Sequence, residues 1–226
     1  SWARYVYKAK VGQLDDIDYC VGCDQGCLDG FADENCPQIT CLRNPAVGRE
    51  LECKIVKAEK PETVLVAGAG IAGLEAAIVL QQRGHQAIVC EASDKVGGQF
   101  LTAGEAPRKG EMKAAVIAMG KKAARLGADI RLNTPVTAEL IEEIKPHTVF
   151  NAIGATPIIP NILGKDQKFV VNSHDVLNGL ATPEGNVVVI GGGLVGLEVC
   201  EYLAEKGCKV TVLEMMKECG ADLGMA

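Results

Sequence analysis

Cys20, Cys23, Cys27, Cys36 and Cys41 fall within 22 positions of one another. The first three have C-x2-C-x3-C spacing, which lets three thiolates converge on one face of an iron–sulfur cubane. A fourth thiolate from the following loop would complete an all-sulfur shell, and soft sulfur ligands suit either an iron–sulfur cluster or zinc. A zinc ribbon would use Cys20, Cys23, Cys36 and Cys41 and leave Cys27 idle. Disulfides would leave one of five cysteines over, and no export signal is visible at residues 1–5. A radical-SAM cluster needs the spacings in reverse order. Spacing by itself leaves the fourth ligand open. Cys53, Cys90, Cys200, Cys208 and Cys219 stand singly and read as small core residues or inert thiols.

A second chemistry-bearing pattern occurs twice. Gly68-Ala-Gly70-Ile-Ala72-Gly73-Leu-Glu75 recurs 123 positions later as Gly191-Gly-Gly193-Leu-Val-Gly196-Leu-Glu198. Leu80, Gly84, Val89 and Glu91 meet Leu203, Gly207, Val212 and Glu214 at the same displacement. Gly68 and Gly191 supply the backbone freedom of a tight strand-to-helix turn. Gly70 and Gly193 leave room for a pyrophosphate against the main chain, and Gly73 and Gly196 allow close helix packing. The N–H groups at each helix start, Ala72 among them in the first copy, then face the phosphate charge. Glu91 and Glu214 close the next strand, where a carboxylate accepts bonds from an adenosine ribose. Glu214 would also repel a 2′-phosphate, which favours NAD(H) over NADP(H) at the second site.

Elements of matching period surround these residues. Thr63–Ala67 and Val187–Ile190 are apolar, β-branched runs, and each leads through glycines into a helical stretch and a second strand. Glu111 to Leu126 has apolar residues at helical spacing with Gly127 as stop, and Asp129–Leu132 and Thr148–Asn151 read as strands. Trp2–Lys10 reads as a helix. The fold class is therefore α/β: two Rossmann-like nucleotide-binding units, the second truncated, preceded by a small cysteine-rich iron–sulfur segment. With 48% hydrophobic residues and 26 glycines, the chain can bury a core. Its 23 basic and 29 acidic residues give a net charge of −6 without a basic block, which disfavours nucleic acid and anionic membranes. Val64 to Leu80 is nearly apolar, but three glycines and Glu75 mark it as strand plus helix, not a membrane span. A cytoplasmic protein is the simplest reading.

The cysteine run followed by Cys41-Leu-Arg-Asn-Pro45 and then Pro61-Glu-Thr-Val-Leu-Val-Ala-Gly68 resembles the C-terminal half of one flavoprotein group. These are the NADH:flavin oxidoreductases of the old yellow enzyme class that include 2,4-dienoyl-CoA reductase and trimethylamine dehydrogenase. The resemblance covers essentially the whole chain. It implies a 4Fe–4S cluster on Cys20, Cys23, Cys27 and Cys41, with Cys36 a bystander. Asp24 stands where the group usually has Asn, a change that bears on hydrogen bonding near the cluster. The resemblance also implies FAD on Gly68–Glu91 with Gly98 and Gln99 of the Gly97-Gly98-Gln99 turn. Val136 lies where such proteins touch adenine through backbone, and Asn151-Ala152-Ile-Gly154 is similar to their strand end beside the flavin. NAD(H) would dock at Gly191–Glu214. Trimethylamine dehydrogenase-like members instead keep a structural ADP in the first site.

The same resemblance divides the chain into residues 1–60 (the end of a TIM barrel, the cluster loop and a connector), 61–160 (the FAD or ADP domain) and 161–226 (a linker and the start of the NAD domain). The barrel carrying FMN and the substrate pocket is then absent, so the chain reads as a fragment or a split-gene product needing the rest of its enzyme; homo-oligomerisation stays open. No catalytic residue is assigned. His85, His147 and His174 are isolated, and His85 is expected to help cap the helix ending at Gly84. Glu75 and Glu198 sit on the helices after their glycine turns. No redox dicysteine follows Glu91, which argues against a disulfide-reductase mechanism. The electron path implied is NADH to FAD to cluster to FMN, ending at a C=C bond of an unsaturated acid or thioester, or starting from an amine. A zinc-stabilised, non-catalytic nucleotide-binding protein is the reading from another class.

Overall fold

Strands and helices alternate along the computed structural model, which describes residues 2–14, 17–18, 20–32 and 38–221. In chain order these are α1 (Trp2–Lys10), α2 (Leu28–Ala32), β1 (Thr63–Ala67), α3 (Ile71–Arg83), β2 (Gln86–Cys90), α4 (Gly98–Ala103) and α5 (Gly110–Arg125). There follow β3 (Asp129–Arg131), α6 (Ala138–Ile144), β4 (Thr148–Asn151), α7 (Ser173–Leu177), β5 (Asn186–Ile190), α8 (Leu194–Glu205) and β6 (Lys209–Leu213). The chain divides into two compact units: Ser1–Leu101 with Glu111–Gly154, and Thr102–Gly110 with Ala155–Ala226.

The first unit is built on a parallel sheet of order β3-β2-β1-β4. Alternate residues of each strand point to opposite faces, so β1 and β2 supply two cores. Val64, Val66, Ala87 and Val89 pack with Leu74, Ala77 and Ile78 of α3 and Val116, Met119 and Ala123 of α5. Leu65, Ile88 and Cys90 face the other way, under Leu140, Ile141 and Ile144 of α6. A parallel sheet needs this double cover, which accounts for the unbroken apolar runs of β1 and β2. The order reverses between β1 and β4, and the crevice at such a switch point is where open α/β sheets take ligands.

In the second unit, β5 and β6 pair in parallel through the α8 crossover. Val187, Val189 and Val210 face Val199 and Leu203 of α8. On the opposite face Val188, Ile190 and Leu213 are 58%, 60% and 54% exposed.

The α5 helix begins one residue before the stretch expected from periodicity and ends one before it, and β5 begins at Asn186 instead of Val187. Gly97-Gly98-Gln99, read as a turn, is the entry to α4, with φ of +125° at Gly97 and +53° at Gly98. Short helices α2, α6 and α7 were not anticipated. The last two are held by side-chain caps: Thr137 Oγ1 accepts the Leu140 N–H, and Asn172 Oδ1 accepts the Asp175 N–H. Helix α3 is closed by backbone, since the Gly84 N–H reaches the Gln81 and Leu80 carbonyls and the His85 N–H reaches that of Leu80. The His85 imidazole acts elsewhere: its Nδ1 accepts the Glu62 N–H at 3.2 Å, as His147 Nδ1 accepts that of Thr63. Among the described residues no helix is long and apolar enough to cross a membrane.

Candidate functional site

The first glycine turn leaves β1 at Gly68, whose φ is +101°. A Cβ there would lie 2.4 Å from the Ala152 carbonyl oxygen, so the end of β4 walls this turn closely. Gly73 is equally restricted, because its Cβ would fall 1.9 Å from the Gly68 oxygen. Gly70 differs: φ is −71°, and a Cβ would meet nothing within 4 Å. Open space thus lies over the backbone at Gly70, beside the start of α3. The first bond inside α3 runs from the Leu74 N–H to the Gly70 carbonyl. The N–H groups of Ile71, Ala72 and Gly73 therefore precede the helical ladder, where an anion is favoured.

Two further segments converge on this turn. Gly97 forms a parallel bridge with Gly70 and donates its N–H to the Ala69 carbonyl at 2.9 Å. Gly98 lies against Gly70, since a Cβ on it would come within 3.3 Å of the Gly70 Cα. Gln99 follows inside α4. On the other side, Ala152 donates its N–H to the Ala67 carbonyl, and Gly154, with φ of +78°, stands in open space. Val136 is half-buried against the Leu65–Ile88–Cys90 core. Gly68, Gly70, Ala72, Gly73, Gly98, Ala152 and Gly154 are thus gathered at one end of the sheet.

Glu91 closes the arrangement. Its Oε2 accepts the Ala69 N–H at 2.7 Å, and its Oε1 accepts the Ser93 N–H at 2.9 Å. The second unit repeats both backbone bonds, although the Ser93 hydroxyl, which also donates to Glu91 Oε1 at 2.8 Å, has no counterpart at Met216. Glu214 Oε2 accepts the Gly192 N–H at 2.6 Å and Oε1 the Met216 N–H at 2.7 Å. Those two N–H bonds hold the Glu214 carboxyl below its ordinary range. Gly191 has φ of +103°, Gly193 caps α8 with φ of −76°, and a Gly196 Cβ would fall 2.0 Å from the Gly191 oxygen. Two ionised oxygens offer about four lone-pair sites, so each clamp retains acceptor capacity for a sugar hydroxyl.

The cysteine segment carries four described thiols, Cys20 and Cys41 exposed, Cys23 and Cys27 half-buried, all unpaired as disulfides. Cys36 lies outside the described residues. Gly22 donates its N–H to Cys20 Sγ at 3.3 Å, and the Cys27 thiol donates to the Asp24 carbonyl. Asp24 adopts φ of +52°, a left-handed conformation that Asp and Asn both tolerate. The strand of chain before Cys41 is tied to the loop before Cys27: Thr40 donates its N–H to the Gly26 carbonyl at 2.8 Å. A Cβ on Gly26 would strike Thr40 Oγ1 at 2.4 Å. Among the described residues no group of three or more His, Cys, Asp or Glu side chains is already arranged as a metal shell. The donor set itself, four free thiols on a glycine-tightened loop, fits a thiolate-ligated centre.

Outside these sites, Glu198 pairs with Lys109, and Arg108 with Glu201. Glu75 is half-buried, and burial pushes its carboxyl up against the opposing pull of Lys122.

Residues 62–225 match the family model described as pyridine nucleotide-disulphide oxidoreductase. The chain belongs to that family. Within the pyridine nucleotide-disulphide oxidoreductases it is 40% identical over 214 residues to the bilirubin reductase of Mediterraneibacter gnavus (strain CC55_001C), covering 95% of this chain and 33% of that protein. It is 38% identical over 221 residues to the NADH oxidase of Thermoanaerobacter brockii, covering 96% and 34%. Among solved structures, a 2-naphthoyl-CoA reductase superposes with a TM-score of 0.91 at 35% identity, covering 97% of this chain and 33% of that one. The chain spans about a third of the length of the relatives it matches. It corresponds to the C-terminal part of a 2,4-dienoyl-CoA reductase-like enzyme, and the family and relatives indicate use of FAD and NAD(H).

Sequence reasoning placed the glycines and both glutamates but missed the partners that those glutamates hold. Backbone N–H groups at Ala69, Gly192, Ser93 and Met216 carry no residue signature. The 123-residue repeat does extend to Ala69/Gly192 and Ser93/Met216, and that shared offset was the available signal.

Proposed function

We propose that the chain is the electron-transfer part of an iron–sulfur flavoprotein oxidoreductase. Gly68, Gly70, Ala72, Gly73, Glu91, Gly98, Gln99, Val136, Ala152 and Gly154 hold FAD. Gly191, Gly193, Gly196 and Glu214 hold NAD(H) in a second Rossmann-like unit. Cys20, Cys23, Cys27 and Cys41 ligate a 4Fe–4S cluster. The observation that carries this is the same carboxylate-clamped glycine turn at both ends of a 123-residue repeat. FAD held by these residues would supply the chemistry that links a two-electron donor such as NADH to a one-electron iron–sulfur centre.

The chain's own part is positional. The α3 and α8 starts present N–H groups to pyrophosphate, Gly70 and Gly193 leave it room, and Glu91 and Glu214 keep their turns rigid while facing ribose. The negative charge of Glu214 disfavours a 2′-phosphate. The electrons would be destined for an FMN-bearing barrel suited to reducing a C=C bond of an unsaturated acid or thioester, in keeping with the names of the reductases it resembles. That barrel, in the same enzyme or a partner chain, is the proposed recipient, and the cytoplasm, where thiols stay reduced, the proposed setting.

The test is anaerobic purification with assays for iron, acid-labile sulfide, zinc and flavin, followed by NADH addition. About four irons per chain and a flavin absorbance bleached by NADH support the proposal. Zinc without iron, or a colourless protein binding only ADP, ends it.

A further inference from the structure

Asp18 and Arg43 bracket the cysteine segment, one two residues before Cys20 and the other two residues after Cys41. Their side chains meet, with Arg43 Nη2 3.6 Å from Asp18 Oδ1. Lys122 Nζ on α5 donates to the other oxygen, Asp18 Oδ2, at 3.0 Å. Arg43 Nη1 donates to Met119 Sδ, also on α5, at 3.0 Å. The Arg43 side chain is only 8% exposed, and its buried Nε–H has no hydrogen-bond partner among the described residues.

The Arg43 guanidinium and the Lys122 ammonium both lie against the Asp18 carboxylate. Arg stays charged in every protein environment and offers five donors. A buried donor without an acceptor is destabilising. The orphaned donor calls for an anionic acceptor, and four thiolates around iron, one of them only two residues away along the chain at Cys41, make one.

We infer that Arg43 is a positioning residue for the cysteine site: it closes the segment through Asp18, docks it on α5, and supplies the positive charge that the thiolate-ligated centre lacks. The inference rests on the four-iron reading above. One-electron reduction adds negative charge to such a centre, and net charge and nearby donors set its potential. Arg43 therefore raises the reduction potential, and Asp18 lowers it by partly neutralising the guanidinium.

Dithionite titration of anaerobically prepared protein, with the EPR signal of the reduced centre followed and iron and flavin assayed, tests this in wild type, Arg43→Met, Arg43→Lys and Asp18→Asn. Arg43→Met is expected to keep its flavin and either lose iron or keep it with reduction at least tenfold less favourable, about 59 mV for one electron. Arg43→Lys should regain most of that shift, and Asp18→Asn should move the potential upward. Full iron with an unchanged potential in Arg43→Met overturns the inference. So do shifts of the same sign in Arg43→Met and Asp18→Asn. Should Arg43→Met lose flavin as well as iron, the sign of the Asp18→Asn shift decides: upward supports the inference, zero or downward overturns it. Wild-type protein without iron fails the four-iron reading itself, a different and separately visible result.

Discussion

The Glu214 carboxylate holds the backbone N–H of Gly192 at 2.6 Å, one residue before the glycine that caps α8. Glu91 holds Ala69 in the same way, one residue before Gly70. Each acid proposed to face a ribose also sets the shape of its glycine turn, so the two tasks cannot be mutated separately. Glu214→Gln is expected to weaken NADH binding by roughly tenfold, because hydrogen bonds to an ionised acceptor are stronger than those to a neutral one. Glu214→Arg should reverse the preference toward NADPH. Fluorescence titration with both nucleotides measures each.

The same carboxylate gives a pH prediction. Its N–H bonds to Met216 and Gly192 hold it below the ordinary range, so the clamp is fully present above the ordinary value of about 4.3. It is lost only as pH falls through the lowered one. NADH affinity attributable to this residue should therefore stay level from neutrality down to about pH 5. A fall beginning near pH 6 in wild type but not in Glu214→Gln would contradict it.

Gly70 and Gly73 separate ligand space from packing space. Gly70→Ala meets no atom within 4 Å and keeps an ordinary φ, so the apoprotein should melt within about 1 °C of wild type while flavin content falls at least tenfold. Gly73→Ala drives a Cβ into the Gly68 carbonyl, a backbone clash that overpacking data place at about 1–3 kcal/mol. A loss of several degrees in Tm is expected, at about 2–4 °C per kcal/mol for a chain of this size. Calorimetry with flavin quantitation distinguishes the pair.

Cys41→Ala should abolish iron binding, whereas Cys36→Ala and Cys53→Ala leave it intact. Gly26→Ala should also lower iron content, because its Cβ collides with Thr40 beside Cys41. Iron and sulfide assays on the purified variants decide. Retention by Cys41→Ala with loss by Cys36→Ala would move the fourth ligand.

Glu75 predicts an opposite pH trend. Burial raises its pKa, so the folded state binds its proton more tightly than the unfolded chain. Stability attributable to Glu75 is greatest below the ordinary carboxylate value and declines as pH rises through the raised one. Glu75→Gln mimics the protonated form and should raise Tm at neutral pH, by no more than about 2–4 °C, with the gain vanishing in acid. Thermal melts at several pH values check this.

The strand–turn–helix–strand units were legible because their residues repeat: an offset of 123 aligns β1 with β5, α3 with α8 and β2 with β6. What escaped sequence reading depends on contacts between distant backbone segments. That Gly98 packs on Gly70, or that Ala152 walls Gly68, follows from sheet order, which a single strand's pattern does not state. Helix α6 was missed because its 7 residues span barely two turns of pattern, although the Thr137 cap was there to be read. His85 was assigned to a helix end by adjacency, yet its ring serves the Glu62 N–H, a partner 23 residues away.

The uncovered side of β5 and β6, with Val188, Ile190 and Leu213 facing water, has a practical consequence for handling. Such an oily stripe on an isolated chain is an association liability. Dilute samples should scatter little light and concentrated ones visibly more, so titrations belong at the dilute end.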